Sequence, residues 1–162
     1  MYKNRTERRI YGKHNMKIRK IKENKKQFLS LLLLADEQEN MVDRYLERGS
    51  MYVLDDNGVK AECVVTDEGD GILEIKNIAT VPEYQGKGYA KALIDFLVNE
   101  YAYKYSVLQV GTGDSPLTVP FYEKCGFVYS HSLPNFFIDN YDHPIFENGI
   151  QLVDMVYLKR PL

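Results

Sequence analysis

Sulfur and histidine are scarce in this chain of 162 residues, and their scarcity removes whole classes of chemistry. Its two cysteines, Cys63 and Cys125, stand in a strand-like and a turn-like context. Two such thiols make no disulfide framework and no metal cluster, and they fit a reducing cytoplasm. His131 and His143 lack the Cys/His spacing of a metal site, so no metal is expected and surface or hydrogen-bonding roles are. No histidine is paired in sequence with Cys125, which argues against a covalent cysteine mechanism. Long apolar runs are absent too. Phe28 to Ala35, the longest, is eight residues, a core helix rather than a membrane span. The opening Met1-Tyr2-Lys3-Asn4-Arg5 carries charge with no apolar stretch behind it, unlike a secretory signal. No internal repeat or low-complexity linker is present, and the length suits one domain with a sizeable core.

Charge is present in both signs but unevenly placed. Residues 1–26 hold eleven Lys/Arg against two Glu, and the rest of the chain holds ten against twenty-one Asp/Glu. The basic head could serve a nucleic acid or an anionic surface. The simpler reading, preferred here, is a poorly ordered extension over 1–15 followed by one domain over 16–162, with nucleic acid not expected as a partner. The acidic body would attract a cationic small molecule such as an amine.

Periodicity gives a coarse layout. Met16 to Ile21 reads as a first strand, and Glu23 or Asn24 as the cap of a helix holding Phe28, Leu31, Leu32 and Ala35. A second helical stretch opens at Glu39-Asn40, turns Met41, Val42, Tyr45 and Leu46 inward and stops at Gly49. Met51–Leu54 and Val59–Val65 form a hairpin about Asp56-Asn57-Gly58. After the turn Gly69-Asp70-Gly71 comes a buried strand, Ile72 to Thr80, then a helix from about Gly88 to Tyr101. Val107–Val110 is a further strand, followed by a loop from Gly111 to Pro116. Thr118 is placed to cap a short helix carrying Phe121 and Tyr122, with Pro120 in its first turn, and Gly126 ends it. Strands near Phe127–Ser132 and Gln151–Leu158 finish the sheet.

The most informative run is Tyr84-Gln85-Gly86-Lys87-Gly88-Tyr89-Ala90-Lys91, set between the strand and the long helix. Strand, glycine turn and helix start expose backbone N–H groups at the positive end of a helix dipole, a ready site for a diphosphate. Gly86 and Gly88 allow conformations a Cβ would block, and Lys87 and Lys91 add positive charge. A lone G-x-G is more often an ordinary tight turn. The Walker pattern is absent, and the dinucleotide fingerprint would need a small residue where Lys91 stands.

Gln85, Gly88 and Ala90 fit instead the pattern Gln/Arg-x-x-Gly-x-Gly/Ala. With Asn77-Ile78-Ala79-Thr80-Val81-Pro82-Glu83-Tyr84 before it, the run resembles the coenzyme-A-binding segment of the GNAT N-acetyltransferase superfamily. Phe121-Tyr122-Glu123-Lys124-Cys125-Gly126-Phe127 is similar to that family's downstream Tyr-Glu-Lys-x-Gly-Phe signature. The resemblance is firm over roughly Gly71 to Tyr129. It implies an α/β fold: a mixed central sheet of about seven strands, splayed at the fourth and fifth, flanked by about four helices. It implies acetyl-CoA as acetyl donor and direct transfer to a primary amine.

Residue by residue, the resemblance assigns backbone groups of Ile78, Ala79 and Thr80 to the pantetheine arm and acetyl carbonyl. It assigns Gln85, Gly86, Lys87, Gly88, Tyr89, Ala90 and Lys91 to the pyrophosphate. Asp114 or Ser115 stands near a position where the family often carries an asparagine contacting the cofactor; here the asparagine is absent, and Pro116 and Pro120 depart from the common pattern. Tyr122 takes the place of the tyrosine that protonates the leaving thiolate. Glu74 is the carboxylate candidate for general base, although strand alternation equally allows a solvated side chain. Where some protein-acetylating relatives place a glutamate, Gln109 stands, and an amide cannot act as a base.

The segment Pro134 to Gly149 is aromatic and acidic, with a hairpin turn at Asn148-Gly149. So many aromatics need burial, in a cleft or against another subunit. Phe136, Tyr141, Asp142 and Glu147 are expected to wall a pocket for a cationic acceptor. A similar tail occurs in a little-characterised bacterial GNAT subgroup. The expected acceptor is a small cationic amine. A protein or peptide amine, or a non-catalytic acyl-CoA-sensing role, is the alternative, and a homodimer could pair through the last strand or the tail.

Overall fold

A computed structural model describes residues 16–162, together with the backbone of Arg8–Arg9. The expected extension over 1–15 otherwise lies outside the described residues. In chain order the strands are β1 (Arg8–Arg9), β2 (Met16–Ile21), β3 (Ser50–Asp56), β4 (Val59–Asp67), β5 (Ile72–Thr80), β6 (Val107–Gly113), β7 (Val128–Leu133), β8 (Phe146–Glu147), β9 (Ile150–Gln151) and β10 (Met155–Pro161). The helices are α1 (Leu29–Ala35), α2 (Glu39–Asp43), α3 (Tyr89–Tyr101), α4 (Val119–Lys124) and α5 (Phe136–Asn140), with 3₁₀ turns at Lys25–Phe28 and Pro82–Tyr84. The chain forms two compact units, Met1–Thr66 with Lys76–Tyr101, and Asp67–Ile75 with Ala102–Leu162.

In the first unit the strands run in the order β1-β2-β3-β4-β5. Antiparallel ladders join Met16↔Asp56 through Ile21↔Met51, and Ser50↔Val65 through Leu54↔Ala61. The β3–β4 hairpin turns where expected, because Asn57 and Gly58 adopt positive φ (56° and 109°) and Asp55 Oδ1 accepts the Gly58 amide at 3.0 Å. One core gathers Ile21, Leu32, Val42, Tyr45, Leu46, Met51, Val53 and Val64, all buried. The helix before it starts differently from expectation. Asn24 takes a left-handed conformation (φ 49°) and makes no side-chain cap; the chain enters α1 through a 3₁₀ turn instead. Lys25 is buried and donates its ammonium to the carbonyls of Leu46 (2.8 Å), Glu47 (3.3 Å) and Gly49 (2.7 Å). A buried cation on the carbonyls that follow α2 stabilises that end electrostatically.

In the second unit the order is β5-β6-β10-β7. β5 and β6 are parallel over Ile72↔Val107 to Ile75↔Val110, whereas β10 is antiparallel to both β6 and β7, so the sheet is mixed. The parallel ladder ends there, while β5 runs on to Thr80 and β6 to Gly113. Two boundaries and one cap differ from expectation. β6 includes Gly111–Gly113 because the ladder to β10 continues through Met155↔Gly113. The last strand starts at Met155, and Gln151 pairs with Phe146 in the β8–β9 ribbon. Thr118 precedes α4 but makes no side-chain cap: its hydroxyl bonds Thr112 Oγ1 at 3.0 Å and Gly113 O at 3.4 Å. No helix among the described residues is long and apolar enough to cross a membrane.

Candidate active site

The first unit carries the glycine loop and the strand end before it. β5 ends in Ile78, Ala79 and Thr80, of which only Ala79 is buried. Val81 N donates to Lys60 O at 2.8 Å, pinning the strand's end to β4. A 3₁₀ turn with Pro82 leading turns the chain, and Gln85 Nε2 bonds back to Thr80 O at 3.3 Å. Gly86 and Gly88 then take φ of 77° and 86°, and a Cβ built on either meets nothing within 4 Å. Packing therefore does not demand glycine at either position. The backbone conformation does, and it leaves open space over the loop. Intrahelical bonding in α3 begins with Ala92 N→Gly88 O at 3.0 Å. The amides ahead of it are those a helix start leaves without an intrahelical carbonyl. An anionic diphosphate fits this loop: exposed Gly86, Lys87, Gly88 and Lys91, backbone donors and the positive helix end.

The loop is braced by residues the sequence did not single out. Tyr89 OH donates to Asp56 Oδ2 at 2.6 Å, and this bond pushes the phenol's pKa up. Lys60 Nζ lies 4.2 Å from the Tyr84 ring centroid, and Lys87 Nζ lies 5.2 Å from it. Lys91 forms an exposed i,i+4 pair with Asp95 at 2.9 Å. Asp56 and Lys60 belong to the β3–β4 hairpin, so no local pattern linked them to the glycine run.

The second unit carries the remaining candidates. Glu74 is buried, which settles its face: it stands in register with buried Gln109, whose Nε2 donates to Glu74 Oε1. The solvated alternative is thereby excluded. Tyr122 is buried on α4, its ring edge-on to Phe121 (5.1 Å) and Phe127 (5.7 Å). Its backbone sits inside the Thr118 O←Tyr122 N and Tyr122 O←Phe127 N bonds, at 3.1 Å each. Gly126, at φ 91°, closes the helix by donating to Glu123 O at 3.0 Å. Asp114 is exposed, and Ser115 is buried with its hydroxyl accepting the Leu117 amide at 3.2 Å.

The tail has a small core of its own. Phe137, Ile145 and Leu152 form a small core against which Phe136, Tyr141 and Met155 pack. Phe137 and Tyr141 stack at 5.6 Å, with Phe136 edge-on to both. Part of the expected burial is met within the tail, by Phe137, while Phe136 and Tyr141 stay half-buried and Phe146 is exposed. Asp142 is exposed and bonded to His143, while Glu147 is half-buried in β8. His131 stacks on Tyr157 at 4.6 Å. Cys63 and Cys125 are buried free thiols, and burial pushes the Cys63 pKa up.

With this geometry in view, the similarities are specific. The Acetyltransferase (GNAT) domain model matches residues 47–129, which span β3 to β7 and both motifs. The chain belongs to the GNAT acetyltransferase family. The uncharacterized N-acetyltransferase YvbK of Bacillus subtilis is 38% identical over 131 residues, covering 79% of this chain and 84% of that protein. A GNAT acetyltransferase of Elizabethkingia anophelis, solved with acetyl-CoA bound, superposes with a TM-score of 0.87 at 34% identity over 93% of this chain and all of that one. A Bacillus cereus protein named IAA acetyltransferase does so with a TM-score of 0.84 at 37% identity, covering 91% and 99%. The chain has the GNAT fold and is an N-acetyltransferase; these relatives are bacterial.

Proposed function

We propose that this GNAT enzyme binds acetyl-CoA through the loop Gln85–Lys91 and the strand end Ile78–Thr80, and moves the acetyl group directly to the primary amine of a small cationic molecule. The observation that carries the donor assignment is the pair of positive-φ glycines with open space above them at the start of α3. The acidic balance of residues 27–162 supports a cationic acceptor.

In this reading the loop amides hold the diphosphate and a backbone N–H at the end of β5 stabilises the oxyanion formed as the amine attacks the thioester carbonyl. Tyr122 then donates its phenolic proton to the departing thiolate, whose basicity is close to its own. Glu74 is less well placed to take the amine's proton. It lies four to six residues before Ala79 and its neighbours on one strand, about 13–20 Å away at the usual rise. Its carboxylate is also engaged by Gln109. It can serve only through a chain of waters. Asp142 and Glu147 would attract the cation from the tail, and Asp114 and Ser115 would contact the cofactor from the turn after β6. The self-packed tail supports Phe136 and Tyr141 more as the frame of that acidic segment than as a pocket wall.

The deciding experiment is thiol release from acetyl-CoA across amines, peptides and IAA, comparing wild type with Tyr122→Phe. Turnover on small amines, falling about 10²–10⁴-fold in the variant with acetyl-CoA affinity kept, is the expected result. Turnover on peptides alone would move the acceptor class to proteins, and acetyl-CoA binding with no turnover would favour a sensing role.

A further inference from the structure

Glu62 is the one acidic residue among the described residues that is fully buried with neither carboxylate oxygen hydrogen-bonded. Its neighbourhood explains why no protein group supplies a donor. Glu62 pairs across the ladder with Val53, so it projects from the sheet face that packs on Tyr45, Leu32 and Val64. On that face Asn77, also buried, has assigned both amide protons: Nδ2 donates to Leu32 O at 3.0 Å and to Tyr45 OH at 2.9 Å. Asn77 Oδ1 is left buried without a partner. Tyr45 OH donates its own proton outward, to Asp36 Oδ2 at 3.0 Å. Lys25, the only buried lysine or arginine among the described residues, is held by the carbonyls of Leu46, Glu47 and Gly49.

With Glu62 ionised, three buried oxygens hold lone pairs and no proton to share. Native proteins rarely leave such groups unanswered without a ligand, a water or a functional cause. An unpaired buried carboxylate is costlier still, which is why burial pushes the Glu62 pKa well up. Burial first, and then the charge of Asp36, likewise push up the Tyr45 pKa.

The place of Glu62 gives this set a use. Glu68 N→Ile72 O at the turn and Val81 N→Lys60 O at the far end mark β4 and β5 as antiparallel. Glu62, two residues from Lys60, therefore lies beside Ile78 and Ala79, the strand end assigned above to the acetyl carbonyl. From there the bonds Asn77–Tyr45–Asp36 make a polar track to the half-exposed connection after α1. We propose that Glu62 and Asn77 Oδ1 form the subsite that receives the nitrogen of the acceptor as a primary ammonium. An N–H-bearing cation supplies what the three oxygens lack, charge and donors together. The inference rests on the amine-acetylation reading, and its test separates the two.

The probe is methylammonium chloride, titrated into the full chain carrying ¹³C-carboxyl glutamate, with tetramethylammonium as a control that has charge but no N–H. The Glu62 signal is assigned by its absence in Glu62→Gln or Glu62→Asp. Expected is a saturable shift of that signal with methylammonium only. No saturable shift, or an equal one with tetramethylammonium, overturns the subsite. In thiol-release assays, Glu62→Gln should raise the Michaelis constant for the best amine at least about tenfold, a loss of about 1.4 kcal/mol, with acetyl-CoA affinity unchanged. An unchanged amine constant also overturns it. Wild type that acetylates an amine while Glu62 ignores methylammonium keeps the transfer reading and ends the subsite. Wild type that acetylates no amine while Glu62 responds does the reverse.

Discussion

The loop Gln85–Lys91 and the tail from Phe136 to Leu152 are both irregular and both rich in turn residues, yet they are built for opposite ends. The loop buries only Tyr89: Gly86, Lys87 and Gly88 are exposed and its glycines have open space where a Cβ would go. The tail does the reverse, closing Phe137, Ile145 and Leu152 into a core of its own. A turn that starts a helix beneath open space suits an anionic ligand, and a segment that gathers a core of its own suits stability.

The sharpest way to break that contrast is to remove the tail's anchor. Phe137→Ala should cost about 3–5 kcal/mol, read by urea denaturation, while acetyl-CoA affinity stays at the wild-type value; a loss of cofactor binding would show the two regions to be coupled. In the loop the effect should fall on the ligand instead. Gly88→Val forces a β-branched residue into the left-handed region, at about 1–2 kcal/mol. Because nothing in the protein opposes its side chain, calorimetry should show acetyl-CoA affinity down by about tenfold or more with a modest change in the unfolding midpoint. Asp56→Asn sharpens the same point from outside the loop. Weakening its bond to Tyr89 should lower acetyl-CoA affinity about fivefold, the worth of about 1 kcal/mol, with the turnover number retained. The smallest effect belongs to the tail's charges. Asp142→Asn with Glu147→Gln should raise the Michaelis constant for a cationic amine about two- to fivefold, as exposed charges are worth at most about 1 kcal/mol. An unchanged constant would take the tail out of acceptor recognition.

Burial of Glu62 also gives a pH signature. Its folded pKa is raised above the unfolded value, so the native state binds the extra proton. Its contribution is therefore fully present below about pH 4.3, the unfolded glutamate value, and is lost as pH rises toward the folded pKa. Relative to Glu62→Gln, the wild type should lose stability with rising pH across that window, measured by urea midpoints at a series of pH values. Parallel curves for the two proteins would show that the carboxyl does not titrate differently on folding.

Some of this was legible locally. The hairpin at Asn57-Gly58, the inward set Met41, Val42, Tyr45 and Leu46, and the strand–loop–helix around Gly86 and Gly88 each depend on contacts a few residues apart and formed where the pattern placed them, although α2 itself ends at Asp43 and turns carry the chain on to Gly49. The cap at Asn24 and the cap at Thr118 did not: Asn24 takes a left-handed backbone, and the Thr118 hydroxyl bonds Thr112 and Gly113 at the end of β6 instead. The start of the last strand was misplaced for a related reason: Gln151 found a closer partner in Phe146 across the Asn148-Gly149 turn.

By itself, then, the sequence determined the family and the local build of the Gln85–Lys91 turn and of the helix carrying Tyr122, since motif spacing encodes local backbone geometry directly. Tertiary structure alone decided which glutamate is satisfied and which is not. Glu74 and Glu62 look alike as strand residues, but only pairing across strands gives the first an amide donor from Gln109 and leaves the second buried beside an asparagine whose protons are already placed. Strand alternation fixes a side chain's face at most; the hydrogen bonds that answer a buried charge come from residues far apart in the chain.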